Sequence, residues 1–333
     1  MIASDLVTAA MVAAAVAPAL VLLWLVVAAD SRPEPPRVVL ICVVLGALSA
    51  AAIAALGAWL HWQVPHGPNQ WLAAGEAAFL MAAIPEEVLK VSIIATVALR
   101  ARDFDEPMDG VVYGTAVGLG FAALENVLYV VGSDTRWIGV AITRAVLSVP
   151  FHAALGAIAG AYIVRARFGG ALGAHKGDRW RRPRLFLSAW LIPIVLHGLF
   201  DTSQFSIRDV PTNIADPAEG VLEKVLLLLI GCVIGFGTIL FAARMARKIA
   251  QRQKAWLQTR RLPLTHLRDV WAECLVGVGL SFVALTLVIA GNSIIKITGC
   301  VLLAIAVSMS WKCGRHLSEV AKNRRLSAIG ASS

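Results

Sequence analysis

The sequence predicts an all-α fold, a polytopic transmembrane helix bundle of about nine spans, amino terminus outside and carboxyl terminus in the cytoplasm. Three observations carry that reading. Apolar residues make up 58% of the 333 residues and charged residues 15%, with a mean hydropathy of +0.74. Apolar runs of about 20 residues, long enough to cross a hydrocarbon core of about 30 Å, recur along the chain. The basic residues gather in alternate loops, and that asymmetry sets orientation. Sheet is disfavoured because the runs are continuous rather than alternating, and each is long enough to span as a helix. The net charge of +9 does not point to nucleic acid, since no soluble domain is present to bind it.

Taken in order, residues 6–29 form the first apolar run. It reads as an uncleaved helix, because Met1-Ile-Ala-Ser-Asp5 has none of the positive charge that a signal peptide needs. A Pro/Arg/Glu loop leads to a second helix ending near Trp62, and the next loop, 63–70, contains no Lys or Arg. Helix three covers 71–99, helix four 109–131, helix five 137–164, helix six 185–206 and helix seven 220–243. Helices eight and nine, 270–290 and 294–311, close the bundle. Most of the 30 Lys and Arg residues lie in loops 30–37, 100–108, 165–184 and 244–269 and in the tail after Trp311. An odd number of spans gives the same placement of the termini as this charge asymmetry.

The chain divides accordingly into two accessory helices (1–69), a core (70–245), a basic cytoplasmic linker (246–269) and a carboxyl-terminal pair of helices with a disordered basic tail (270–333). Within 244–269, Ile249, Trp256 and Leu257 are interspersed among the basic residues. That pattern suits either an interfacial amphipathic helix on anionic lipid or a solvated linker. The cysteines Cys42, Cys232, Cys274, Cys300 and Cys313 are scattered and form no CxxC pair, so they read as small apolar fillers.

Helix three carries the feature around which the rest is organised. Ile84-Pro-Glu86-Glu87-Val-Leu-Lys90 sits deep in an apolar run, where each carboxylate costs several kcal/mol unless partnered. Helix four carries Glu125-Asn126, helix five His152, and helix six His197 and Asp201. Counted from the helix ends at about 1.5 Å per residue, all of these fall at the middle of the membrane or slightly outward of it. Independent helices need not agree in depth, so the agreement points to one shared site.

Spacing narrows the chemistry. His197 and Asp201, and likewise Glu86 and Lys90, are four residues apart and share a helix face. Glu86 and Glu87 lie about 100° apart, so one is expected to face the site and the other a supporting partner such as Lys90 or Asn126. Two imidazoles with carboxylates could form an open zinc site holding a water. The same groups could instead activate water directly, a glutamate acting as base and the histidines stabilising the oxyanion. Arg144 reads as a side chain snorkelling outward, and Glu76 and Asp109 as helix-end residues reached by interfacial water. Gly114-xxx-Gly118 and Gly156-xxx-Gly160 are faces that let helix backbones approach closely. Pro85, Pro150 and Pro193 each stand just ahead of a polar group and are expected to loosen their helices there.

In this order, Glu86-Glu87-Val-Leu-Lys90, Gly120-Phe121-Ala-Ala-Leu-Glu125-Asn126, Phe151-His152-Ala-Ala-Leu-Gly156 and His197-Gly-Leu-Phe-Asp201 resemble the PrsW family of intramembrane proteases, across roughly 70–245. The family is similar in turn to the CAAX prenyl proteases and bacteriocin-processing enzymes. Those carry an arginine one residue beyond the position of Lys90, which favours the PrsW branch. The resemblance implies a multi-pass enzyme of the bacterial inner membrane acting on a membrane-anchored protein, as in the first cut of a membrane-bound anti-sigma factor.

On that reading Glu86 or Glu87 is the general base, and Glu86, Glu87, His152 and His197 are the catalytic residues. His152, His197, Asp201 and Glu125 are the candidate ligands of a zinc ion, with Lys90 and Asn126 in support. HExxH, the Gly-x-Ser-Gly of rhomboids, the Gly-x-Gly-Asp of aspartyl types and a P-loop are all absent. A transporter or channel binding a cation or proton at the same cluster is the rival reading, although no inverted repeat is visible. A non-catalytic sensor is the third.

Overall fold

Apolar runs in a membrane must satisfy their backbone groups within the segment, and the computed structural model is correspondingly helical. It describes residues 2–60 apart from 31 and 33, 70–169 apart from 102, 181–209 and 217–260. The elements are α1 (Ile2–Ala29), α2 (Pro36–Leu60), α3 (Gln70–Glu76), a π-helical segment (Ala77–Ala83), α4 (Ile84–Arg100), α5 (Asp109–Val131), α6 (Trp137–Val146), α7 (Ser148–Arg167), α8 (Arg181–Asp209) and α9 (Pro217–Arg260). No strand occurs among the described residues.

Among the described residues, six helical stretches are long and apolar enough to cross a membrane: Asp5–Ala29, Pro36–Gly57, Asp109–Val131, Asp134–Arg167, Arg182–Ile207 and Leu222–Ala255. These match expected helices one, two and four to seven. The expected third helix is helical throughout, but it runs as α3, the π segment and α4, and carries Glu86, Glu87 and Lys90. The expected eighth and ninth helices lie outside the described residues.

The described residues form two compact units, one of residues up to 41 with 126–145, the other of 42–125 with 146–260. In the first, Met11 and Ala15 of α1 pack with Val130 and Ala141. Asn126 Nδ2 donates to the Ala15 carbonyl at 3.3 Å, and Arg144 Nε donates to Asn126 Oδ1 at 2.6 Å. Arg144 also lies over the Tyr129 ring, 4.1 Å from its centroid, so it is a bonded, half-buried side chain rather than an outward-snorkelling one.

In the second unit, α5 and α7 meet through the two glycine pairs. A Cβ on Gly114 would run into the Gly156 carbonyl, one on Gly156 into that of Gly114, and one on Gly118 into that of His152. Backbone carbonyls cannot turn aside as a side chain can. Gly156→Leu is therefore expected to destabilise the fold by about 3 kcal/mol, read as a lower melting temperature in detergent; an unchanged melt would contradict this packing.

The three prolines behave differently. Pro85 has no N–H to donate and its ring would crowd the carbonyl four residues back. The π segment ends at Ala83, two residues ahead of it, with the Ile84 N–H donating to the Phe79 carbonyl. Pro150 follows a break at Leu147 that separates α6 from α7. Pro193 leaves α8 unbroken.

Beyond residue 244, α9 continues as helix through part of the expected basic linker, to Arg260. Asp109 is not solvated at a helix end either. It is 1% exposed, and its Oδ2 accepts the Asp105 and Glu106 N–H groups, each at 2.7 Å.

Candidate active site

Four helical segments of the second unit deliver the polar groups, α5 supplying Glu125. Helix α4 begins at the π segment, which places Glu86 and Glu87 in its first turn and Lys90 one turn on. Helix α7 presents His152 from its second turn, just past the break at Leu147. Helix α8 presents His197 and, one turn later, Asp201. The π segment and α8 are fitted closely: a Cβ on Gly198 would enter the Phe79 ring, so the residue beside His197 leaves room for the segment that leads to the glutamates.

Glu86, Glu87, Lys90, His152 and His197 are all buried. One donor atom from each of Glu86, Glu87, His152 and His197 lies within 4.8 Å of the others. Both glutamates therefore reach the same cluster, and Lys90, expected as the supporting partner of one of them, is held most closely by Glu87. The side chains are long enough to close a 100° difference, and Lys90 and His197 stand between them.

Lys90 Nζ lies 2.6 Å from Glu87 Oε1 and 3.3 Å from Glu86 Oε2. It also lies 3.3 Å from His152 Nδ1 and 4.1 Å from the centroid of the Phe121 ring. An ammonium has only donors, so His152 Nδ1 accepts from it, and Nε2–H then donates to Glu125 Oε2 at 3.0 Å. His197 has the same sidedness, with Nδ1 2.8 Å from Glu87 Oε1 and Nε2 3.2 Å from Asp201 Oδ2 and 3.9 Å from Glu86 Oε2. Both imidazoles thus turn Nδ1 towards the glutamate–lysine centre and Nε2 towards an outer carboxylate. Glu125 and Asp201 form the open rim, their side chains 18% and 17% exposed against 1% for Glu87. Asn126, expected as a support of the glutamates, bonds instead to Ala15 and Arg144.

The floor is aromatic. The His152 and His197 rings meet edge to face at 5.2 Å, and Phe151 stacks on Phe200 at 4.3 Å and meets the His197 ring edge-on at 5.9 Å. Leu155 joins Phe151 and Phe200 in one apolar cluster, with Ile234 of α9 against it. Such walls hold water out and strengthen every charge interaction inside them. Phe151 and Phe200 belong to the quoted motifs, but nothing in their spacing marked them as this floor.

The donor set suits zinc, which takes nitrogen and oxygen ligands, commonly four. Ligand histidines usually donate their second N–H to a carboxylate, the relation that Glu125 and Asp201 have to the two Nε2 atoms. Lys90 occupies three of the four donors, so a metal ion could take them only with that ammonium turned aside.

A family model described as PrsW family intramembrane metalloprotease matches residues 34–236 and so takes in α2, ahead of the motif-bearing region. A Protease PrsW of Oceanobacillus iheyensis is 32% identical over 188 residues, 56% of this chain and 80% of that protein. Those of Bacillus subtilis and Clostridioides difficile are 40% and 35% identical over 124 and 126 residues, each match covering 37% of this chain. The chain spans 52% and 50% of the length of these two relatives, about half. No solved structure matches it.

Proposed function

Because the chain belongs to the PrsW family of intramembrane metalloproteases, we propose that it hydrolyses peptide bonds of membrane-anchored proteins at the Glu86–Glu87–His152–His197 cluster. The observation that carries the reading is the convergence of these four buried donors from α4, α7 and α8 to within 4.8 Å. A membrane-bound anti-sigma factor is the substrate class implied by the motif resemblance, and about nine spans with the amino terminus outside is the topology implied by the charge pattern.

Glu86 is the better placed base. Glu87 is held at 2.6 Å by Lys90 and at 2.8 Å by His197, whereas Glu86 is held more loosely, at 3.3 Å from Lys90 and 3.9 Å from His197, and is the more exposed of the two. Glu86 takes a proton from water as the water oxygen attacks the scissile carbonyl, and returns it to the departing amide nitrogen. Glu87 orients His197 and neutralises Lys90. Glu125 and Asp201 fix the two imidazoles through Nε2, and the aromatic floor keeps bulk water away. Zinc would be held by His152, His197 and Glu87, and when bound supplies a Lewis acid.

The test is cleavage of a single-span reporter protein by the purified chain in proteoliposomes, with product termini read by mass spectrometry. Cleavage inside or beside the reporter's span, inhibited by a zinc chelator, is the expected result. An intact reporter, with cation or proton flux in the same liposomes, would replace this reading with the transporter.

A further inference from the structure

The cytoplasmic end of α9 in the expected topology lies beyond the matched family region, which stops at residue 236. Along the membrane-spanning part of α9, one face is exposed and apolar, from Leu222 through Leu226, Leu229 and Val233 to Leu240 and Phe241. At about 1.5 Å per residue, Leu222 to Phe241 is about 30 Å, the thickness of a hydrocarbon core. Beyond Phe241 the same face turns basic without changing direction: Arg244, Arg247, Lys248 and Lys254 are exposed. At 100° per residue they fall on the stripe continuing Val233 and Leu240. Residues 244–260 include no Asp or Glu.

The opposite face is committed to protein. Met245, Ile249, Gln253 and Leu257, spaced four apart, are buried. Gln253 is 0% exposed; its Oε1 accepts the Met108 N–H at 2.6 Å and its Nε2 donates to Glu106 Oε2 at 2.7 Å. The helix cannot roll its apolar side into the lipid, as a free interfacial helix would, and its basic side is held facing outward.

We propose that Arg244, Arg247, Lys248 and Lys254 form a binding surface for the headgroups of anionic phospholipids, in register with the lipid-facing stripe of α9. Charge complementarity and continuity with that stripe select lipid. The first cations follow the last exposed apolar residue by one turn, at headgroup depth, and fixed cations at that depth attract anionic lipid. Because Ile234 packs against the Phe151–Phe200 floor, the surface also sets the depth at which α9 supports that floor. None of this depends on the proteolytic reading.

The experiment is native mass spectrometry of the full chain in detergent, titrated with phosphatidylglycerol and with phosphatidylcholine. The wild type is expected to bind phosphatidylglycerol about tenfold more tightly, with the preference lost in high salt. The variant R244Q/R247Q/K248Q/K254Q is expected to bind both lipids alike. Equal binding of the two lipids by wild type, or a preference that resists salt, overturns the proposal and leaves the face to an acidic protein partner. The salt dependence is measured on the wild type alone, so the proposal stays testable if the variant fails to insert. A folded variant that keeps the full preference overturns it too.

Discussion

Glu86→Gln is expected to lower cleavage of a membrane-anchored reporter by about 10³-fold while leaving the protein folded, the middle of the range of about 10²–10⁴-fold for loss of a general base. Glutamine keeps the volume and a carbonyl acceptor but cannot take up a proton from water. The fold survives because Lys90 keeps its shorter contact, 2.6 Å to Glu87, when the 3.3 Å contact to Glu86 is weakened. Glu87→Gln should behave differently. It removes the charge facing both Lys90 and His197, and removing one partner of a buried ion pair costs about 3–5 kcal/mol. Its loss of activity should therefore come with a lower melting temperature. The measurement is a pair of initial rates beside a pair of melting curves. Wild-type rates in Glu86→Gln would remove it from the role of base, and wild-type rates in both variants would end the proteolytic reading.

The depth of the polar residues was legible because it depends only on counting along helices of known rise. Glu86, Glu87, His152, His197 and Asp201 could be brought to one level without knowing how the helices pack. Direction around each helix axis was less legible. The 100° between Glu86 and Glu87 is correct for an α-helix but says little about where two three-carbon side chains end, and both carboxylates reach His197. Asn126 and Arg144 were misassigned for a related reason. A polar residue in a span signals that it has a partner but not which one, and the partner of Asn126 includes a backbone carbonyl of α1, which leaves no trace in sequence.

Backbone interruptions were legible in part. Pro85 and Pro150 each raise the same difficulty of a missing donor and a crowded carbonyl, and the chain answers with a π segment at one and a break at Leu147 at the other. The sequence marks the place of such strain; packing decides its form. The glycine pairs were clearer, since close approach between α5 and α7 admits only hydrogen at Gly114 and Gly156. The amphipathic end of α9 was visible as a pattern of basic and apolar residues, but whether its apolar side faced lipid or protein was fixed by the bonds of Gln253 to Glu106 and Met108, far away in sequence.

His197→Ala is expected to lose both the metal and the activity. Wild-type protein purified without chelators should hold about one equivalent of zinc by elemental mass spectrometry, as a site with two imidazoles and a buried carboxylate would. The alanine variant removes a ring whose nitrogens meet Glu87 at 2.8 Å and Asp201 at 3.2 Å, so it deletes one donor and disperses two carboxylates. Lys90→Met is the informative counterpart. The ammonium now lies 2.6–3.3 Å from donors on Glu86, Glu87 and His152, so removing it should tighten zinc binding about tenfold, because two positive charges no longer compete for one set of donors. A wild type without zinc, and a Lys90→Met variant that binds it no better, would place Lys90 as the permanent cation of the cluster. Catalysis would then rest on Glu86 and the two histidines alone, and Lys90→Met should abolish cleavage rather than spare it.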